Sequence, residues 1–127
     1  MTISVLLADD SGIMRKGIAD LLKDDPEIQI VAEASSFSQT MLLANTLHPQ
    51  VVVMDLHMGD ENDVTPSQIK SSLDGSRVLA ISFWNDSETK TLADSYGAVA
   101  WLDKTKLALE LIPAIKQHAN DPSNSLL

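Results

Sequence analysis

The 127-residue chain carries 18 acidic against 9 basic side chains, contains no cysteine and is 44% apolar. A chain of this length forms one domain whose core needs no covalent or metal staple, and the lack of cysteine excludes disulfides and thiolate metal sites. The acidic excess argues against direct contact with a nucleic-acid backbone, which needs clustered lysine and arginine, and no segment has the pattern of a signal peptide or a membrane span.

Five short apolar runs alternate with longer amphipathic segments. We predict one strand for each run: Ile3–Ala8, Ile28–Ala34, Val51–Met54, Val78–Ile81 and Ala98–Leu102. Four of the runs are nearly unbroken apolar stretches, which is typical of strands covered on both faces. The second run alternates more, so we expect it at an edge of the sheet.

Apolar residues at helical spacing predict a helix after each strand. The first two predicted helices begin after Ser11 and after Ser36, and the third covers about Thr65–Leu73. The fourth follows Asp86 or Ser87 and ends near Tyr96–Gly97, and the last includes Leu107–His118. Gly97 is expected to end the fourth helix in the left-handed conformation. Pro113 lies inside the last pattern and predicts a late start, a kink or a missing backbone hydrogen bond.

This alternation of strands and helices predicts an α/β fold. Five βα units with crossovers of this length favour a flavodoxin-like (βα)5 doubly wound parallel sheet with strand order 2-1-3-4-5. We assign residues 1–120 to this domain and residues 121–127 to a tail or the start of a linker. Ligands of such sheets bind at the carboxyl ends of the strands.

Five polar residues follow the predicted strands on that side of the sheet. Asp9 and Asp10 follow the first strand, Asp55 the third, Ser82 the fourth and Lys104 the fifth. Carboxylates brought together repel one another and recruit a hard dication such as Mg²⁺, while a lysine and a hydroxyl can bind a phosphoryl group. Each residue alone has an ordinary explanation as a turn or helix cap, but together they predict a phosphoryl-transfer site with a carboxylate nucleophile.

Four segments of the chain resemble the receiver domains of two-component response regulators. These segments are LLADDSGIMRKGIADLL, VVVMDLHM, VLAIS and GAVAWLDK, and the resemblance extends from about Ile3 to Gln117. The segment RKGIADLLKDDPEIQIVAEASS resembles the subclass whose receivers precede a helix-turn-helix DNA-binding domain. The resemblance therefore implies a cytoplasmic signalling protein with a sensor histidine kinase as partner and a DNA-binding domain beyond this chain.

The resemblance also implies a Mg²⁺ site. Asp10 would be a direct ligand and Asp9 would act mainly through a metal-bound water. Asp55 and the backbone carbonyl of His57 would complete the set.

Three further roles are implied for the phosphoryl group itself. Asp55 would accept it from the phosphohistidine of the kinase and form an acyl phosphate. Ser82 would move to form a hydrogen bond with the phosphoryl group, and Lys104 would form an ion pair with it. Trp101 stands at the aromatic switch position, usually Tyr or Phe, that turns inward when the hydroxyl moves, although simple packing also explains a tryptophan there.

Two features depart from the family pattern. Where members commonly have Met-Pro-Gly, this chain has the loop Met58–Val64, which adds three acids that could attract Mg²⁺ or repel the incoming phosphoryl group. Phe83 follows the switch hydroxyl, where a small residue is usual. It would either crowd the route to Asp55 or fill the space that Trp101 would enter.

Two residues stand at positions expected to tune how fast water attacks the acyl phosphate. They are His57 and Trp84, and for His57 the alternative is a partly exposed loop residue.

The leading functional hypothesis is a phosphorylation switch rather than an enzyme, with intrinsic autodephosphorylation left open. Its output surface would be formed by Asp86–Tyr96, Ala98–Trp101 and the fifth helix, and would act through homodimerisation or release of the downstream domain to control transcription. The alternative is a receiver-like interaction module that no longer depends on phosphorylation, as the altered loop and Phe83 suggest. An aspartate-nucleophile phosphatase is disfavoured because His57 stands where a second acid is needed.

Overall fold

The computed structural model describes residues 2–119 and contains a single five-stranded sheet. Every pair of neighbouring strands is parallel and the strand order is β2-β1-β3-β4-β5. The strands are β1 (Ile3–Ala8), β2 (Ile28–Ala34), β3 (Val51–Asp55), β4 (Arg77–Ser82) and β5 (Ala98–Asp103). The predicted fold class and strand order are confirmed. The prediction of a tail at residues 121–127 lies outside the described residues.

Five α-helices connect and follow the strands. They are α1 (Gly12–Leu22), α2 (Phe37–Leu47), α3 (Pro66–Ser72), α4 (Ser87–Ser95) and α5 (Leu107–Ala119), with short 3₁₀ turns at Glu61–Asp63 and Lys104–Lys106. Side chains of Ser11, Ser36, Thr65 and Asp86 accept backbone N–H groups at the first four helix starts, because these short oxygens satisfy donors that the first turn leaves unpaired. Among residues 2–119, no helix is long and apolar enough to cross a bilayer.

The two faces of the sheet bury two separate apolar cores. Side chains alternate across a strand, so Val52 and Met54 of β3 point to one face while Val51 and Val53 point to the other. The first face is covered by α2, α3 and α4, and the second by α1 and α5. Every residue of β3 is buried, as the apolar run Val51–Met54 predicts for a strand covered on both faces.

One edge strand and the end of α4 agree with the sequence-based predictions, and α5 and the end of α2 each show a further feature. β2 lies at an edge as predicted, and Gly97 ends α4 with φ +82°. Pro113 lies within α5, which continues through it. Since proline has no N–H, the carbonyl of Leu109 loses its helical donor, and Leu109 is 78% exposed, so water can replace it. The left-handed His48 at the end of α2 was not predicted.

Candidate functional site

The carboxyl ends of four neighbouring strands bring the predicted polar residues to one edge of the sheet. Asp9 follows β1 and Lys104 follows β5, whereas Asp55 and Ser82 are the last residues of β3 and β4. The strands therefore extend one residue further than the apolar runs predict. Because β1, β3, β4 and β5 are parallel and adjacent, their ends meet in one cleft.

Three carboxylates converge in this cleft. Asp9, Asp10 and Asp55 each place one oxygen within 4.8 Å of the others. Asp9 is fully buried and Asp55 is 5% exposed, whereas Asp10 faces solvent. Ionised carboxylates this close destabilise one another unless a positive charge lies between them.

Lys104 supplies one such charge. Its Nζ lies 2.8 Å from Oδ2 of Asp9 and 3.3 Å from Oδ2 of Asp55, and its side chain is only 6% exposed. Oδ2 of Asp9 is buried and forms this ion pair with Lys104, but it accepts no hydrogen bond from the described residues. One lysine thus contacts two of the three acids.

The pKa of Asp55 reflects the excess of negative charge in the cleft. Burial and the neighbouring charge of Asp9 raise the pKa of Asp55 to about 6, although Lys104 and the backbone N–H of His57 oppose the shift. That N–H donates to Oδ1 of Asp55 over 3.2 Å. At neutral pH the carboxylate is still mostly ionised and is more basic than an ordinary aspartate, which suits a nucleophile.

These residues fit a magnesium ion. Mg²⁺ binds oxygen ligands and needs only one or two protein carboxylates, because it keeps most of its water. A dication would offset the excess of negative charge that Lys104 alone leaves in the cleft.

Ser82 lies at the same edge of the sheet and is 1% exposed. Its Oγ accepts a hydrogen bond of 3.0 Å from the backbone N–H of Trp84. Because the oxygen is used as an acceptor there, the hydroxyl proton stays available for another group.

Phe83 lies at the mouth of the cleft and not in the core. Its side chain is 55% exposed and its ring centroid is 5.1 Å from Nζ of Lys104. Of the two alternatives that the sequence left open, this position favours crowding of the route to Asp55 over filling the space near Trp101.

His57 and Trp84 meet beside the cleft. Their ring centroids are 5.2 Å apart in an edge-on arrangement, and Nδ1 of His57 lies 3.8 Å from Oε2 of Glu61. Together with Asp86 and Leu92 they line a cavity of about 400 Å³. The two residues are therefore close enough to act on the same small volume.

Trp101 lies away from the carboxylates. It belongs to β5, packs against the core formed with α2, α3 and α4, and has the ammonium of Lys90 5.9 Å from its ring centroid. Its indole Nε1 is buried without a hydrogen-bond partner among residues 2–119.

The loop after Asp55 takes a path that its sequence did not reveal. Gly59 stands where the family commonly has proline and has φ +91°, which proline cannot adopt. The loop then directs the Asp60 carboxylate to the start of α2, where it accepts the N–H groups of Phe37 and Ser38 over 2.9 and 3.0 Å. Asp60 is thus a remote cap of α2 and is not directed at the three carboxylates.

Replacing Asp60 should weaken the anchoring of α2. Partial burial raises the pKa of Asp60, but the hydrogen bonds from Phe37 and Ser38 outweigh it and hold the pKa below its usual value. The stabilisation is therefore present above the ordinary aspartate pKa and is lost as pH falls through the lowered value. We expect Asp60→Ala to lower the free energy of unfolding by about 1–2 kcal/mol at pH 7 in urea titrations.

Asp63→Ala, at an exposed acid of the same loop, is the matched control and should cost under about 0.5 kcal/mol. An equal loss in both variants, or a loss for Asp60→Ala that persists unchanged at pH 2–3, would contradict the capping role.

Sequence reasoning missed Arg15, Glu33 and Asp60 at this end of the molecule. Nη1 of Arg15 donates to the backbone carbonyl of Asp9 over 2.6 Å, and its Nε lies 3.3 Å from Oε1 of Glu33. The only feature of the sequence that points to the contact between Arg15 and Asp9 is the spacing of Arg15. It lies four residues after the helix cap Ser11 and therefore on the same helical face.

Comparison with known proteins agrees with this geometry. The family model "Response regulator receiver domain" matches residues 5–116. The chain is 34% identical over 115 residues to the transcriptional regulatory protein LiaR of Bacillus subtilis, covering 90% of this chain and 54% of LiaR. It is 33% identical over 125 residues to the response regulator protein VraR of Staphylococcus aureus, covering 97% of this chain and 59% of VraR. The chain thus spans less than two thirds of the length of these relatives.

Solved structures show the same fold. The signal receiver domain of the response regulator NarL from Mycobacterium tuberculosis superposes with a TM-score of 0.83 at 22% identity, covering 94% of this chain and 98% of that one. The response regulator domain of CheB from Thermotoga maritima superposes with a TM-score of 0.82 at 25% identity, covering the same shares.

Proposed function

This chain belongs to the response regulator receiver domain family of two-component systems, and from that membership we propose that Asp55 is the residue that accepts the phosphoryl group. The observation that carries the proposal is the convergence of three carboxylates in one cleft that also holds a lysine, with Nζ of Lys104 3.3 Å from Oδ2 of Asp55. Among these acids Asp55 is central, because it is the last residue of β3, the middle strand of the sheet.

The proposed reaction forms an acyl phosphate. A carboxylate oxygen of Asp55 attacks the phosphorus of a phosphohistidine, the P–N bond breaks, and the imidazole leaves with its electron pair and takes up a proton. The Lys104 ammonium can follow the phosphoryl oxygens, since it already lies beside the attacking group. Ser82 can donate its hydroxyl proton to one of them, because its oxygen is occupied only as an acceptor.

We propose that Asp9, Asp10, Asp55 and the backbone carbonyl of His57 hold a Mg²⁺ ion during this reaction. When bound, the ion supplies positive charge that neutralises the phosphoryl oxygens and the acids around them. The protein contributes the convergence of the carboxylates and the burial that excludes bulk water from Asp9 and Asp55.

The partners proposed here come from the relatives. LiaR is named a transcriptional regulatory protein, so we propose that a DNA-binding domain outside this chain carries out the output, in the cytoplasm, and that a sensor histidine kinase donates the phosphoryl group. The face formed by α4, β5 and α5 is proposed to respond, with Trp101 moving and homodimerisation as one readout. His57 and Trp84, which line one cavity, are proposed to limit how fast water hydrolyses the acyl phosphate.

Intact mass after incubation with a small phosphodonor tests the proposal. With Mg²⁺ and acetyl phosphate, the wild-type protein should gain the mass of one phosphate, and Asp55→Asn should gain none. Asp94→Asn, at an exposed acid of α4, should behave like the wild type. A wild-type chain that gains no mass at saturating donor would instead be a phosphorylation-independent interaction module, and gain in Asp55→Asn would place the acceptor elsewhere.

Phe83 should slow both entry and exit of the phosphoryl group. Because its ring stands over Lys104 at the mouth of the cleft, we expect Phe83→Ala to accelerate phosphorylation by acetyl phosphate and hydrolysis of the acyl phosphate, each by about 3- to 10-fold, equivalent to roughly 1 kcal/mol in each barrier. Time courses of intact mass measure both rates.

Phe83→Leu, which keeps much of the bulk, serves as the comparison and should stay within about twofold of the wild type. Unchanged or slower rates in Phe83→Ala would contradict a role in access.

A further inference from the structure

Asp9 is held by four separate contacts, and one of them comes from a side chain without a role so far. Its N–H donates to the carbonyl of Ala34 over 3.0 Å. Its Oδ1 accepts the N–H of Ser11 over 2.9 Å, and its Oδ2 lies 2.8 Å from Nζ of Lys104. The fourth contact is the 2.6 Å hydrogen bond from Nη1 of Arg15 to the backbone carbonyl.

Arg15 connects this carbonyl to the neighbouring strand. It is the fourth residue of α1 and its side chain is 23% exposed, whereas Glu33 lies near the end of β2 and its side chain is 46% exposed. One guanidinium nitrogen contacts Asp9 while Nε faces the Glu33 carboxylate 3.3 Å away. The planar guanidinium can hold two partners in a fixed relation, which a lysine ammonium does less well.

The carbonyl of Asp9 belongs to the peptide that leads into Asp10. Fixing that oxygen limits rotation of the peptide plane, and this plane sets the direction in which the Asp10 side chain leaves the backbone. Asp10 is the exposed member of the three acids, so repulsion from Asp9 and Asp55 would otherwise turn it toward solvent.

We propose that Arg15, supported by Glu33, is a positioning residue that keeps Asp9 and Asp10 in the arrangement that binds a divalent cation. The inference rests on the proposed function to the extent that it takes these carboxylates as cation ligands. Arg15 acts through the peptide and not through its charge, because Glu33 partly offsets that charge and a bare positive charge would repel a dication.

The test is a titration of the full chain with MgCl₂, followed by amide shifts in ¹H–¹⁵N spectra. Arg15→Met should raise the Kd for Mg²⁺ by about tenfold, the size expected when a residue supporting metal ligands is removed. Arg15→Lys keeps the charge but loses the planar fork, so its Kd should remain within about twofold of that of Arg15→Met.

The part played by Glu33 is tested by a double-mutant cycle. Glu33→Gln alone should raise the Kd by about two- to threefold. Because Glu33 acts through Arg15, the double variant should bind Mg²⁺ no more weakly than Arg15→Met. Additive losses in the double variant would overturn the support assigned to Glu33.

Lys16→Met is the matched control, since it removes the same charge from the next residue of α1, whose side chain is 78% exposed. Its Kd should stay within about twofold of the wild type, and metal-free spectra establish that each variant is folded. Wild-type affinity in Arg15→Met or Arg15→Lys, or an equal loss in Lys16→Met, would overturn the proposal.

The outcome separates this inference from the proposed function. If Mg²⁺ binds but Asp55 takes up no phosphate, the proposed function fails while the comparison of affinities still decides the role of Arg15. If Asp55 is phosphorylated and Arg15→Met binds Mg²⁺ normally, only the inference fails. A wild-type protein without a saturable shift overturns the inference together with the proposed metal site.

Discussion

In the absence of divalent metal, Asp55→Asn should be more stable than the wild-type protein by about 1–3 kcal/mol at pH 7. Burial and the charge of Asp9 raise the pKa of Asp55 from its ordinary value of 3.8 to about 6. The folded protein therefore binds this proton more tightly than the unfolded chain does. Asparagine has nearly the same shape and carries no charge, so the variant escapes the cost of ionising a buried carboxylate.

The direction with pH follows from the same shift. Well below the ordinary pKa of 3.8 the carboxyl group is protonated in both states, and the cost is absent. As pH rises from about 4 through 6, the unfolded chain releases the proton first, so the stability of the wild type falls relative to the variant. The difference should therefore be fully developed above about pH 6.

Urea titrations in EDTA at several pH values measure this difference. Asp74→Asn, at an exposed loop acid, makes the same change in net charge and should shift stability by less than about 0.5 kcal/mol. Added Mg²⁺ should stabilise the wild type more than Asp55→Asn and narrow the gap. If metal-free Asp55→Asn is less stable than the wild type at pH 7, the ionised carboxylate of Asp55 does not destabilise the fold.

Phe37→Ala should lower the free energy of unfolding by about 3–5 kcal/mol. Phe37 is fully buried at the start of α2, and its ring centroid is 5.3 Å from that of Tyr96, which follows α4. Truncation removes this aromatic contact and leaves a cavity between two helices on the same face of the sheet. The loss is a large part of the 5–15 kcal/mol that holds a typical domain together.

Leu42→Ala on the same helix is the control, because Leu42 is 65% exposed and its truncation should cost less than about 1 kcal/mol. Urea titration monitored by circular dichroism measures both. A loss below about 1 kcal/mol for Phe37→Ala would mean that the core closes over the missing ring.

Most of the fold could be predicted from the sequence because its signals are local. Apolar runs such as Val51–Met54 identify buried strands, and side chains such as Ser11 and Asp86 identify helix starts within one turn of the chain. The strand ends lie one residue beyond the predicted ends at Asp55 and Ser82, since polar side chains at the cleft do not interrupt backbone pairing. Parallel topology then places the polar residues at one edge, which is why the site composition was also predictable.

The sequence by itself thus determined the order of elements, the strand order and the acids, hydroxyl and lysine at the strand ends. Only the tertiary structure decided that Asp60 caps α2, 23 residues before it along the chain, that Phe83 stands over Lys104, and that Arg15 joins Asp9 to Glu33. The physical reason is that each of these contacts depends on one rotamer of a long or loop-borne side chain meeting a distant partner. Local periodicity indicates on which face of a helix or strand a residue lies. It does not indicate which distant group the end of a long side chain contacts.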